Sequence, residues 1–116
     1  MLRKLFHGNP TLREMTTALV AESRHASDNL QIVDVREPDE WLEGHIAGAI
    51  HIPLGQLSAR RAELESRRPI VMVCHSGARS AQATRALTSA GFPDVANLTG
   101  GMLAWTRAGL PVTRRS

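Results

Sequence analysis

"PIVMVCHSGARSAQATRALTSAG", residues 69–91, joins two different hydrophobic periods at the only cysteine of the chain. Pro69 to Cys74 is apolar without alternation and partly β-branched, as expected of a strand covered on both faces. Downstream, Ala83, Ala86, Leu87 and Ala90 recur at i, i+3, i+4 and i+7, and Gly91 stands where a helix ends. The small alanines predict a helix that lies close to the strand, with Gln82, Arg85 and Ser89 facing water. A buried strand feeding directly into a helix is the repeating unit of a parallel α/β sheet. Cys74 therefore falls at the carboxyl end of a strand, on the edge where open α/β sheets bind their ligands.

Working outward, the same alternation continues in both directions. "QIVDV", Gln31 to Val35, predicts a second buried strand. Pro38 suits the first turn of a short helix through Glu43, which Gly44 can stop. "AIHI", Ala49 to Ile52, predicts a strand closed by Pro53, and Leu57, Arg61 and Leu64 lie on a polar-rich helical segment. Towards the carboxyl end, Val95 to Leu98 predicts a short strand, Gly100 and Gly101 a tight turn, and Met102 to Ala108 a last helix. Near the amino end, "TLRE", Thr11 to Glu14, has capping-box spacing, and Leu12, Met15 and Leu19 predict a first helix from there. The expected fold is α/β: an open, mainly parallel sheet of about five strands with helices on both faces.

Composition sets the outer limits. At 116 residues and 42% hydrophobic the chain is expected to form one domain, residues 1–116. A single cysteine makes no internal disulfide, so packing carries the fold and the thiol is free. The net charge of +3 and 3% aromatic content give little support for nucleic-acid binding. No run approaches the ~20 apolar residues of a membrane span, and "MLRKLF" is too short for a secretory signal. The expected location is cytoplasmic, with no membrane partner.

Two readings of Cys74 follow from its surroundings. The bland one is a small buried hydrophobe at a strand end. The other starts from Gly77, which lets the loop His75 to Ala78 curl so that successive amides point inwards as an anion-binding nest. Helix N-termini and neighbouring cations lower thiol pKa values from ~8.5, so a thiolate is expected here, with Arg79 adding positive charge. Ser80 is expected to cap or brace the new helix, because no base accompanies it. Asp34 and Arg36 end their strand on the same edge and are expected to brace the cysteine loop through hydrogen bonds. Glu37, Asp39 and Glu40 complement the positive end of the helix at Pro38. His45 is expected to fix a turn, Trp41 and Trp105 to anchor the core, and Arg60, Arg61, Arg67 and Arg68 to form a solvated basic face.

"CHSGARS" resembles the Cys-x-x-Gly-x-Arg-Ser active-site loop of the rhodanese-like sulfurtransferases. "DVREPDEWLEGHIAGAIHIP", Asp34 to Pro53, is similar to that family's Asp-x-Arg, Glu-aromatic and Gly-His-Ile-x-Gly-Ala signature, and "GFPDVANLTGGMLAWTRAGLPV", Gly91 to Val112, to its closing segment. The resemblance covers about Gln31 to Val112.

It implies a catalytic Cys74 that takes sulfane sulfur from a small anionic donor such as thiosulfate and passes it, through a persulfide, to a thiol or cyanide. His75, Ser76, Gly77, Ala78, Arg79 and Ser80 would form the loop that binds the substrate. No metal or cofactor is called for, because inward amides can stabilise each anionic species. No general base is needed either, and His75, next to the nucleophile in a curled loop, is expected to point away. Arg79 admits both substrate contact and loop support. A thioredoxin-like or other sulfur-accepting protein is a candidate partner. Two alternatives stand beside this one. The first is a non-catalytic sulfur carrier or protein-binding module. The second is a phosphatase of the same fold, whose spacing between cysteine and arginine is one residue longer than His75 to Ala78.

Overall fold

The computed structural model describes residues 12–115. Five strands, β1 (Glu14–Met15), β2 (Gln31–Asp34), β3 (Ile50–His51), β4 (Ile70–Val73) and β5 (Val95–Leu98), form one sheet in the order β1-β5-β4-β2-β3. Every strand pairing in it is parallel, with Gln31 opposite Ile70 and Asp34 opposite Val73 at the centre. Parallel strands need crossovers, and the chain supplies helices α1 (Thr17–Ala26), α2 (Pro38–Glu43), α3 (Leu57–Arg60) and α4 (Ala78–Ser89), followed by α5 (Gly101–Arg107).

The period of two along each strand divides the core. Ile70, Met72 and Cys74 face one side with Val33 and Val35, packing under Leu57, Ala83 and Leu87 from α3 and α4. Val71 and Val73 face the other with Ile32, under Val20 from α1 and Met102 and Trp105 from α5. The central strands are thus buried on both faces, which is why their sequences show no polar alternation. This is the predicted α/β sheet with helices on both faces. No helix among the described residues is long and apolar enough to cross a membrane.

Four local expectations are corrected. The first helix starts at Thr17, not at the Thr11 capping box; Thr11 lies outside the described residues, and the Thr16 hydroxyl accepts the Leu19 amide at 3.1 Å instead. Glu14 and Met15, which the helical reading included, form β1 by pairing with Asn97 and Leu98, a long-range partnership that outweighs local spacing. The segment after Pro53 is not one helix but two 3₁₀ turns, Leu54–Gln56 and Arg61–Glu63, flanking the single turn of α3. On α4 the buried stripe is Ser80, Ala83, Thr84 and Leu87, whereas Ala86 and Ala90 are exposed. The spacing is helical as expected, but two hydroxyl residues occupy the buried face. Thr84 is accommodated by donating to the Ser80 carbonyl at 2.7 Å.

Candidate active site

Cys74 follows the last residue of β4, and the chain then turns through His75, Ser76 and Gly77 into α4. Gly77 makes the turn with φ +109°, a left-handed conformation that a side chain disfavours. This brings its amide to 3.1 Å from the Cys74 sulfur, while the Ser80 hydroxyl, one turn into the helix, donates to the same atom at 3.2 Å. Burial pushes the thiol pKa up. The Ser80 hydroxyl and the amides of Ser80, Gly77 and Ser76 outweigh it, holding the thiol below its ordinary value of 9.0.

The carbonyls of the loop are turned the other way, and α5 is the cause. Met102 and Leu103, in the first turn of α5, donate their amides to the carbonyls of Cys74 and His75 at 2.8 and 3.0 Å. The first amides of a helix have no partner within it, so the loop supplies partners and is oriented by them. The approach is so close that a Cβ on Gly101, whose φ is +57°, would lie 2.4 Å from the Cys74 oxygen. Two residues on, the buried Asn97 side chain of β5 donates to the Gly77 carbonyl at 3.2 Å and also contacts the Glu14 carboxylate. Amides and a hydroxyl, not carbonyls, therefore surround the sulfur. A thiolate in such a nest is expected to stand open to solvent, and this one does not: Cys74 is only 1% exposed, recessed beneath the exposed His75, Ser76 and Ala78.

Arg79 leaves the first turn of α4 towards α2. Its two terminal nitrogens donate to the two oxygens of Glu40 at 2.7 and 2.8 Å. The Arg79 hydrogen bond is the main reason that the Glu40 pKa falls to about 2, with burial opposing and the Glu37 amide assisting. Arg79 is raised in turn, chiefly by Glu40 and in part by the charge of Cys74. Glu40 also completes a capping box by accepting the Glu37 amide at 2.9 Å. The acidic run at the start of α2 thus does more than complement a helix dipole.

Asp34 and Arg36 form a buried, two-pronged ion pair. Arg36 Nε and Nη2 reach the carboxylate at 3.0 and 2.8 Å, and Nη2 also donates to the Gly44 carbonyl at 2.8 Å. These bonds brace the β2–α2 turn and the end of α2. Arg36 approaches the sulfur loop only across a cavity of about 200 Å³ that it shares with His75, Leu103 and Val112. His45 fixes its turn with its ring nitrogens facing the carbonyls of Trp41 and Arg115, to one of which a neutral imidazole donates. Trp105 is buried as expected. Trp41 is half-buried, stacked between His45 and His51 with ring centroids 3.4 and 4.7 Å away.

Three contributors escaped the sequence reading. Asn97 had a signal, a lone amide inside an otherwise apolar strand. Gly101 had one in the glycine pair ahead of a helix. Glu40 had only its capping-box spacing from Glu37, which says nothing of Arg79.

The comparisons with known proteins agree with this arrangement. The rhodanese-like domain family model matches residues 17–108. A protein of Allochromatium vinosum named sulfurtransferase is 35% identical over 101 residues, which cover 87% of this chain and 94% of that one. YrkF of Bacillus subtilis, designated provisionally as a sulfur carrier, is 38% identical over 96 residues, covering 83% of this chain but 52% of its own, so the match spans about half its length. The crystal structure of a thiosulfate sulfurtransferase from Pseudomonas aeruginosa superimposes with a TM-score of 0.83 at 30% identity, covering 90% of this chain and 21% of that one. With its parallel sheet, its cysteine at the end of the central strand and its amide-lined loop, the chain belongs to the rhodanese-like family.

Proposed function

We propose that the protein is a sulfurtransferase working through a persulfide on Cys74. The Cys74 thiolate attacks the outer sulfur of a donor such as thiosulfate; the donor S–S bond breaks, its electron pair leaves with sulfite, and a new S–S bond forms on the protein. The transferred sulfur carries the negative charge. A thiol or cyanide then attacks that outer sulfur, and Cys74 departs as the thiolate it was. No proton need move when the acceptor arrives as an anion, which suits a site whose stabilising groups are amides and a hydroxyl.

The observation that carries this reading is the direction of the dipoles. The Gly77 amide and the Ser80 hydroxyl point at the sulfur while α5 holds the Cys74 and His75 carbonyls away. His75 is exposed, in keeping with a loop residue outside the transfer step. Thiosulfate and cyanide should yield thiocyanate, and Cys74→Ser should abolish it; turnover retained in that variant would reject the reading. Steady hydrolysis of an aryl phosphate would favour the phosphatase alternative instead.

A second reading, a carrier that takes sulfur from one protein and hands it to another, is favoured by the recessed sulfur. With Cys74 only 1% exposed, a partner that engages the loop is a natural route to it. A thioredoxin-like or other sulfur-accepting protein would then be the acceptor, and the cytoplasm the setting. Intact mass showing one added sulfur, without multiple turnover on small donors, would select this reading.

A further inference from the structure

The Glu40–Arg79 ion pair ties α2 to the sulfur loop, and the transfer steps above make no use of it. Arg79 lies next to Ser80, whose hydroxyl touches the sulfur, and the charge of Cys74 is felt at its guanidinium. A loop that acts on a dianion such as thiosulfate would gain from an uncommitted cation at this rim. Here both terminal nitrogens of that cation are held by one carboxylate, on side chains 35% and 26% exposed. The carboxylate stays ionised at any neutral pH. It also sits on a helix whose capping residue and first turn add Glu37 and Asp39, so the local balance of charge is not positive.

We infer that Glu40 is a specificity-determining residue: by holding Arg79 in a neutral pair it weights the site towards sulfur donors of low charge, such as a persulfide on an uncharged thiol, over dianionic donors. The substrates named here rest on the sulfurtransferase reading; the charge balance does not. A loop brace and a charge balance make opposite demands. If the pair only props the loop, breaking it from either side damages the reaction with every donor alike. If it balances charge, removing the carboxylate and removing the guanidinium move selectivity in opposite directions.

The test uses Glu40→Gln and Arg79→Gln. Gln at 40 can still accept the Glu37 amide, so the capping box of α2 survives while the charge is lost. The ratio of kcat/KM for thiosulfate to that for a short alkyl persulfide, a monoanion at neutral pH, should rise about fivefold in Glu40→Gln and fall about fivefold in Arg79→Gln. Alkylation of Cys74 by iodoacetate relative to iodoacetamide, which needs no sulfur transfer, should shift in the same two directions. Ratios that stay put, or that move together in the two variants, overturn the inference. Wild-type protein that alkylates with the expected charge dependence yet transfers no sulfur would reject the sulfurtransferase reading and uphold the charge assignment. Sulfur transfer with unmoved ratios would do the reverse.

Discussion

The turn after β2 and the first turn of α4 each hold an arginine against a carboxylate in two-pronged geometry, and the two differ in how far water is excluded. Arg36 and Asp34 have side chains 6% and 1% exposed, with their remaining capacity used on Gly44 and a local amide. Arg79 and Glu40 stand at 35% and 26%, with solvent on one side. Burial makes the first pair obligatory, because neither charge can be rehydrated without opening the turn. Partial exposure makes the second adjustable, since water screens whatever is left unpaired. Chemically alike pairs, both beside α2, therefore divide into scaffold and rim.

Breaking the buried pair should have the largest effect. Arg36→Ala should lose about 3–5 kcal/mol of stability in urea denaturation, while replacing both partners with apolar residues of similar size should recover most of it. A loss below about 1 kcal/mol for the single variant would erase the contrast between the two pairs. Gly101→Ala probes the clamp of α5 on the cysteine loop. It places a Cβ against the Cys74 carbonyl and should cost about 2 kcal/mol while slowing alkylation of Cys74.

Ser80→Ala should cost about 1 kcal/mol. It should also shift the pH profile of Cys74 alkylation upward, since the Ser80 hydroxyl is the foremost group opposing burial. The linked stability effect has a definite sign. A thiol whose folded pKa lies below its unfolded value adds stability as pH rises through the folded pKa, fully so above the unfolded 9.0. Cys74→Ser should lack that rise. The smallest effect belongs to the rim: Glu40→Gln should change stability by less than about 1 kcal/mol at neutral pH. Wild-type protein should lose the Glu40 contribution only as pH falls from 4.5 towards about 2, the interval between its unfolded and folded values.

Much of this was legible before any coordinates. "PIVMVC" and "QIVDV" read as buried strands because both their faces are covered, and the cysteine's place at the sheet edge followed from the helix pattern after it. Gly77 announced the turn. What escaped the reading depends on contacts between distant segments. Met15 looks helical by its neighbours and is a strand residue by its partner Leu98. Ser80 and Thr84 look like the wet side of α4 and form its dry side, because each hydroxyl finds a partner inside. The depth of the sulfur agrees with the reading of Cys74 as a buried strand end, whereas the reach of Arg79 to Glu40 leaves no trace in spacing, since it is set by how α2 and α4 pack.

The clamp of α5 on the sulfur loop also bears on biosynthesis. A ribosome extrudes residue 74 well before residues 101–103, and until those arrive nothing turns the two carbonyls aside. The amides that face the sulfur come from residues 76–80, but the partners that turn the carbonyls away come from a segment made later. The loop around Cys74 therefore reaches its finished geometry only once the last helix closes on it.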